Sequence, residues 1–471
     1  YYRALISCQA ACPVHTDASG YIRAISLGEY EAGYIKARQP NPFASACGRV
    51  CPAPCEAACR RGQIDSPISI RALKRFLCWQ YGAEAPGKKM IGEAASPKFL
   101  AGSEEPNSCT AESIMALSRF RTGTEAQGGR EGMKVVVIGT GPAGLTAAHD
   151  LTLLGYQVVL FEAQAFAGGK MRTEIPAPFL PEELLEREVQ DTIELGVEIR
   201  YHASIETTRL AELKRDGYEA IFVAIGGHTG QKLSRPGEGI FAEGDMSFPI
   251  PSIIWSVAAG HEAARNVDRY LKGDGAQVTR KAWMAPAVFD YDAPQDRLEV
   301  GRGEPPMTPW TGEGITVRST LALGMVSHVV STPVSEVEAV YSEAEARVQA
   351  DRCLRCNVQT VFNGDLCILC GGCVDVCPQN CYKMVGLDKI KGDENLEALV
   401  QARYGKPLEA FQNGGDVLDL GTAMIKDETR CVRCGLCAQR CPVRAISMEA
   451  FWYEEELVSS GTWEAAAADP S

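Results

Sequence analysis

The chain has 471 residues, 45% hydrophobic and 23% charged, which is enough to bury the cores of more than one domain and rules out a disordered or fibrous protein. A formal net charge of -13 argues against a nucleic-acid binder, because phosphate neutralisation needs clusters of Lys and Arg that the sequence lacks. No apolar run approaches bilayer-crossing length, and the start YYRALISCQAACP lacks the basic and apolar regions of a secretory signal. The expectation is a cytoplasmic protein that meets a membrane only peripherally, through a partner on the cytoplasmic face of a membrane complex.

Nineteen cysteines fall into tight C-x2-C and C-x3-C blocks separated by cysteine-poor stretches, which is ligand spacing rather than a disulfide framework. Residues 1–82 form the first block, a helix-leaning module running from CQAACP to RALKRF. A stretch rich in Gly, Ser, Pro and Glu, residues 83–131, reads as linker.

Residues 132–273 alternate strand and helix. MKVVVI and YQVVLF are continuous apolar runs of the kind buried in parallel sheets, with the helical pattern TAAHDLTLLG between them. The turn carries Gly139, Gly141, Pro142, Ala143 and Gly144, and Glu162 closes the next strand. The glycines permit a tight turn and close backbone approach, the helix N-terminus faces a pyrophosphate, and Glu162 stands where a ribose hydroxyl binds. This fingerprint does not by itself separate FAD from NAD.

Residues 274–350 are irregular and then turn helical at SEVEAVYSEAEARVQADR. Residues 351–471 hold an internal repeat, CILCGGCVDVCP and CVRCGLCAQRCP. Cys367, Cys370, Cys373 and Cys377 have the spacing C-x2-C-x2-C-x3-C-P, and Cys431, Cys434, Cys437 and Cys441 repeat it. In the bacterial two-cluster ferredoxin pattern the fourth cysteine of each run ligates the other cluster. One [4Fe-4S] cluster is therefore expected on Cys367, Cys370, Cys373 and Cys441, and the other on Cys431, Cys434, Cys437 and Cys377. Structural zinc, the competing reading, uses ligands in pairs and not in two interlocked sets of four. Cys381 reads as a buried apolar thiol. His228 and His261 read as surface or packing residues, and no residue is assigned a catalytic role.

Two resemblances extend this reading. AGGK at 167–170, YEAIFVAIGG at 218–227 and GIFAEGDMSFPIPSIIWSVAAGHEAA at 239–264 resemble successive landmarks of the two-dinucleotide-domain flavoproteins. That likeness implies FAD, with Gly168, Gly169, Lys170, Gly244 and Asp245 among its contacts. Residues 8–76, and above all CGRVCPAPCEAAC, resemble the N-terminal domain of the glutamate synthase small subunit and of dihydropyrimidine dehydrogenase, a likeness that runs on to about Gly273. It implies a helical domain with cubane clusters relaying electrons to or from FAD.

Carried over by position, Cys12, Cys51 and Cys55 match ligands of one cluster and Cys8 and Cys59 ligands of another, while Cys47 matches a family cysteine that is not a ligand. Lys74 stands where dihydropyrimidine dehydrogenase has a Gln, leaving Cys78 as a nearby candidate for the fourth ligand. The family has a C-x2-C before the position of Cys8, which the given sequence starts too late to show, and Cys353 and Cys356 of RCLRC read as that pair displaced, completing a cluster with Cys8 and Cys59. Family members also insert an NAD(P)H domain where RPGEG at 235–239 here runs directly into IFAEGD, and Phe179 replaces an Arg usual near the flavin.

The fold class expected is thus multidomain: an α-helical iron–sulfur domain, an α/β Rossmann-like FAD domain of the two-dinucleotide type without its NAD(P)H domain, and an α+β two-cluster ferredoxin-like domain. The expected cofactors are FAD and [4Fe-4S] clusters, two in the C-terminal module and one or two in the N-terminal one, with NAD(P)H left open. The expected activity is an oxidoreductase relaying electrons towards ferredoxin or the other subunits of an electron-transfer complex. The alternative is a wiring subunit with no nicotinamide site of its own.

Overall fold

The computed structural model describes residues 6–85, 132–226, 236–242, 252–272, 277–286, 338–392, 394–412, 421–428 and 430–458. The described residues fall into two compact units. One takes those within 6–282 together with 338–353 and 453–458, and the other those within 283–286 and 354–452. Of the expected 83–131 linker, residues 86–131 lie outside the described residues, as do Gly244, Asp245 and His228.

The first unit opens with short helices: α1 (Ser7–Ala11), α2 (Ala18–Leu27), α3 (Tyr30–Arg38), α4 (Ala44–Val50), α5 (Pro54–Ala57) and α6 (Ile70–Tyr81). Asp17 starts α2 by accepting a hydrogen bond from the Gly20 amide at 2.8 Å, and Gly28, at φ +80°, ends it in the left-handed conformation that L side chains resist.

A parallel sheet follows. It comprises β1 (Lys134–Ile138), β2 (Gln157–Phe161), β3 (Glu198–Arg200), β4 (Ala220–Val223) and β5 (Ile240–Ala242), in the order β3-β2-β1-β4-β5. This is the order of the first five strands of a Rossmann fold. Its helices are α7 (Pro142–Leu153), α8 (Lys170–Thr173), α9 (Glu182–Glu194), α10 (Leu210–Arg215) and α11 (Ile253–Lys272). Side chains alternate across the sheet: Val135 and Val137 join the core under α7, α9 and α11, while Val136 and Ile138 join a second core with Leu210 and Leu213 of α10. Both faces are covered, which is why β1 is apolar at every position but its first. Residues 236–238 form a 3-10 turn that leads straight into β5, without an intervening domain in that stretch. A strand β6 (Gln277–Pro286) follows α11.

The helical segment does not have a core to itself. Cys12, Val14, Phe43, Ala46 and Cys47 belong to the same buried cluster as Val135, Leu145 and Val257. The expected helix after residue 335 begins only at α12 (Glu343–Asp351), because Ser342 and Glu345 form a reciprocal capping box there. It docks on the N-terminal helices: Ala346 and Ala350 share a core with Ile25, Leu73 and Leu77. Tyr30 donates to Glu343 at 2.7 Å, Arg71 pairs with Glu338 at 2.7 Å, and Arg352 pairs with Asp65 at 3.0 Å.

The second unit contains β7 (Val358–Phe362), α13 (Gly372–Val376), β8 (Tyr382–Gly386), α14 (Glu394–Tyr404), α15 (Glu409–Gln412), β9 (Thr422–Lys426), α16 (Leu436–Arg440) and β10 (Ile446–Val458). β7 pairs antiparallel with β10, and β8 with β9. Each C-x2-C-x2-C-x3-C run passes through a left-handed glycine, Gly371 or Gly435, into a one-turn helix that ends at the cysteine before proline. The sequence repeat is therefore a structural repeat.

Candidate dinucleotide and iron–sulfur sites

The loop between β1 and α7 is built by backbone contact. A Cβ at Gly144 would lie 2.0 Å from the Gly139 carbonyl oxygen, and one at Gly139, which has φ +101°, would lie 2.7 Å from the Ala224 oxygen. At Gly141 the opposite holds, since an added Cβ meets nothing within 4 Å. Pro142 opens α7 without a side-chain cap, so the amides of the first turn point into that open space, the arrangement that receives a pyrophosphate.

Glu162 is buried at the end of β2. It accepts hydrogen bonds from the Thr140 amide at 3.1 Å, the Thr140 hydroxyl and the Gln164 amide at 2.8 Å. Its carboxylate thus holds the glycine loop. Gly168 donates to the Thr140 oxygen at 3.0 Å, and a Cβ on Gly169 would lie 2.9 Å from the Gly141 Cα, so both close over the loop. Lys170 is exposed and pairs with Glu174 at 3.8 Å. Phe179 is buried.

α7 and α11 cross closely at Gly260, where a Cβ would meet the Ala143 oxygen at 2.5 Å. A buried network lies behind that crossing. His149 donates to Asp150 at 2.9 Å, and His261 donates to the same carboxylate and also to the Pro40 carbonyl at 3.1 Å. Burial would raise the Asp150 carboxyl, but the two histidines outweigh it and hold it at about 2. His261 therefore ties the helical segment to the Rossmann sheet. The sequence carries no signal for this, because Pro40, Asp150 and His261 are brought together only by folding.

In the N-terminal helices a cavity is lined by Cys12, Cys51 and Cys55, three of the expected ligands, together with Cys47, Arg71 and Lys74. Burial pushes the Cys51 thiol up to about 11 and those of Cys47 and Cys55 well above the usual range. Such thiols ionise when a metal displaces their protons. Cys78 does not line this cavity; it is buried beside Ser45, Glu84 and Glu188. Cys8, Cys59 and Cys353 all border the core shared by α2, α6 and α12, and Arg352 lies beside Cys59. Cys356 is three residues further on, in the second unit.

In the second unit a cavity is lined by Cys431, Cys434, Cys437 and Cys377, with Cys381 also on its wall. These four are the crossed set. The Cys431 thiol is depressed below its usual range, first by a hydrogen bond from Cys381 and then by the charges of Arg433 and Lys426. The Cys381 amide donates to the Cys377 sulfur at 3.2 Å, and the Ala445 amide to the Cys441 sulfur at 3.2 Å, the same contact in each half of the repeat. Around Gly372 the Cys370 sulfur and the Arg440 side chain approach from either side, which brings the first run beside Cys441. Among the described residues no three His, Cys, Asp or Glu side chains converge on a single-ion site. A cluster holds its thiolates around an inorganic core of iron and sulfide, and so farther apart than the ligands of one ion.

Comparison with known proteins agrees with this layout. Residues 4–84 match the family described as dihydropyrimidine dehydrogenase domain II, 4Fe-4S cluster; residues 366–445 match the 4Fe-4S dicluster domain; and residues 137–190 match the NAD(P)-binding Rossmann-like domain. The beta subunit of NADP(+)-dependent formate dehydrogenase from Moorella thermoacetica is 35% identical over 232 residues, 49% of this chain and 31% of that protein. The PreT homolog subunit of NAD-dependent dihydropyrimidine dehydrogenase from Salmonella typhi is 30% identical over 281 residues, 56% of this chain and 58% of its own length. The beta subunit of NADPH-Fe(3+) oxidoreductase from Geobacter sulfurreducens is 31% identical over 237 residues, 49% of this chain and 30% of that one. The chain thus spans less than two thirds of each relative. It is similar to subunits of NAD(P)-dependent oxidoreductases and carries iron–sulfur modules on both sides of a Rossmann-like domain.

Proposed function

We propose that the chain is an iron–sulfur flavoprotein of the two-dinucleotide type, which relays electrons between FAD and [4Fe-4S] clusters as one subunit of a larger redox complex. The observation that carries this reading is a shared wall. The cavity lined by Cys12, Cys51 and Cys55 is also lined by Ile254 of α11, the helix that packs on the dinucleotide helix α7. FAD, when bound, exchanges electrons in pairs and each cluster exchanges one at a time, which couples a two-electron donor to a one-electron wire.

The residues divide the work. Gly139, Gly141 and Gly144 let the backbone approach the pyrophosphate, the amides of Ala143 and Gly144 and the helix that Pro142 opens favour its charge, and Glu162 accepts from the ribose while anchoring Thr140. Cys431, Cys434, Cys437 and Cys377 hold one cluster of the second unit, and Cys367, Cys370, Cys373 and Cys441 the other. In the first unit Cys8, Cys59 and Cys353 border one core and supply ligands to a further cluster.

The passage of residues 236–238 straight into β5 favours the version in which nicotinamide is bound by a partner rather than by these residues. The test is reduction of the anaerobically purified chain by NADPH or NADH, alone and with a candidate partner subunit. Flavin bleaching only with the partner supports this version, and full bleaching by the chain alone rejects it. Release of no flavin on denaturation rejects the flavoprotein reading.

A further inference from the structure

We infer that Cys47 supplies the fourth thiolate at the cavity of Cys12, Cys51 and Cys55, with Lys74 serving that cluster as its counter-charge and not as a ligand. The inference rests on the iron–sulfur reading above and concerns which atoms complete it.

Cys47 lies in α4, and Cys51, four residues on, caps that helix; their spacing turns both side chains to one face, the face that lines the cavity. The start of the helix is fixed from the Rossmann side, where Glu188 accepts from the Ser45 amide at 2.7 Å and from the Ala46 amide at 3.2 Å. Asn41 is fully buried beside Cys47. Its carbonyl oxygen accepts from the Phe43 amide at 3.0 Å, while its Nδ2 has no hydrogen-bond partner. A thiolate at Cys47 is the acceptor that this amide lacks.

Lys74 comes from α6 and is 8% exposed. It lines the same cavity as Cys47, Cys12, Cys51 and Cys55. An ammonium has no lone pair for iron. Losing its proton would leave the negative charge of the thiolates unbalanced in a buried cavity. Cys78, the candidate suggested by position in the sequence, is not on the cavity wall.

The experiment uses the full chain, purified anaerobically, as wild type and as Cys47→Ala, Lys74→Gln, Cys78→Ser and Cys12→Ala. Electron paramagnetic resonance is recorded on oxidised and reduced samples, with iron content. The expected result is a three-iron signal, up to one per chain, in oxidised Cys47→Ala and in none of the wild type, Lys74→Gln or Cys78→Ser. Lys74→Gln should keep its four-iron cluster at a lower reduction potential.

A three-iron signal in Lys74→Gln, or an unaltered cluster in Cys47→Ala, overturns the inference while leaving the iron–sulfur reading intact. If Cys12→Ala retains all the iron of the wild type, the cavity holds no cluster and both readings of it fall. Should Cys47→Ala not fold, Mössbauer spectra of iron-labelled wild type decide the matter: a cluster with one iron distinct from three sulfur-ligated ones contradicts the inference, and uniform sulfur ligation supports it.

Discussion

Replacing Gly141 and Gly144 in turn by alanine separates the fold of the nucleotide loop from its function. At Gly144 the new methyl would start 2.0 Å from the Gly139 oxygen, where ordinary contact begins at 3.4 Å, so loop and helix must part by 3.4 − 2.0 = 1.4 Å. Overpacking of that kind costs about 1–3 kcal/mol. Gly141 has φ -69° and ψ 176°, which alanine adopts freely, and its methyl meets nothing within 4 Å. The lower preference for alanine at a helix N-cap is offset by a gain of about 0.4–1 kcal/mol from a less flexible unfolded chain. Stability of the flavin-stripped protein should therefore fall for Gly144→Ala and stay within about 0.5 kcal/mol for Gly141→Ala.

Affinity should behave in the reverse sense, because the Gly141 methyl occupies the space left for the pyrophosphate. A tenfold weaker affinity for FAD, about 1.4 kcal/mol, is the least expected. Thermal melting of the stripped protein and fluorescence titration with FAD measure the two quantities. A Gly141→Ala protein that binds FAD as tightly as wild type would refute the placement of the cofactor on this loop.

Three further outcomes follow from the geometry. Cys377→Ser should damage the cluster on Cys431, Cys434 and Cys437 more than that on its own run, because Cys377 lines the cavity of the former; the two separate by their spectra under stepwise reduction, and preferential loss of the 367–373 cluster would show local ligation. Glu162→Ala should weaken FAD binding by on the order of 1–3 kcal/mol and also loosen the loop, since Thr140 and Gln164 lose their acceptor; unchanged flavin content counts against the ribose role. His261→Ala should destabilise the first unit by on the order of 3–5 kcal/mol by leaving Asp150 buried with a partner removed, measured by urea unfolding.

The same network gives the chain an acid limit. Asp150 is held at about 2 against about 3.9 unfolded, so its contribution is present above the unfolded value and is lost as pH falls through that window. His149 is pushed below its usual value by burial, so its contribution is lost as pH falls below about 6.5. Stability should decline in two acid steps, and Asp150→Asn should abolish the lower one.

The Rossmann-like and 4Fe-4S domains are legible because the pattern of each is local. Gly139 to Glu162 spans one strand, turn, helix and strand, and the two ferredoxin-like runs declare their spacing residue by residue. The crossed pairing of Cys377 with Cys431 was legible only as a known pattern, and the cavity that unites them agrees with it. What escaped was whatever tertiary packing assembles. α12 is separated from the N-terminal helices by more than the entire Rossmann segment, yet Arg352 reaches Asp65 and Ser66. Cys78 is not on the cavity wall, because on α6 it faces Ser45 and Glu188, a matter of helix rotation that sequence proximity does not report.

The central claim is that one chain joins a flavin to a set of clusters, and reductive titration of the anaerobically purified protein, with flavin and metal analysis of the same sample, tests it most directly. The account predicts FAD released on denaturation, about twelve to sixteen iron atoms per FAD, and uptake of about five or six electrons per chain, two for the flavin and one for each cluster. Stoichiometric zinc in place of iron, with no flavin released and no electrons taken up, would contradict it.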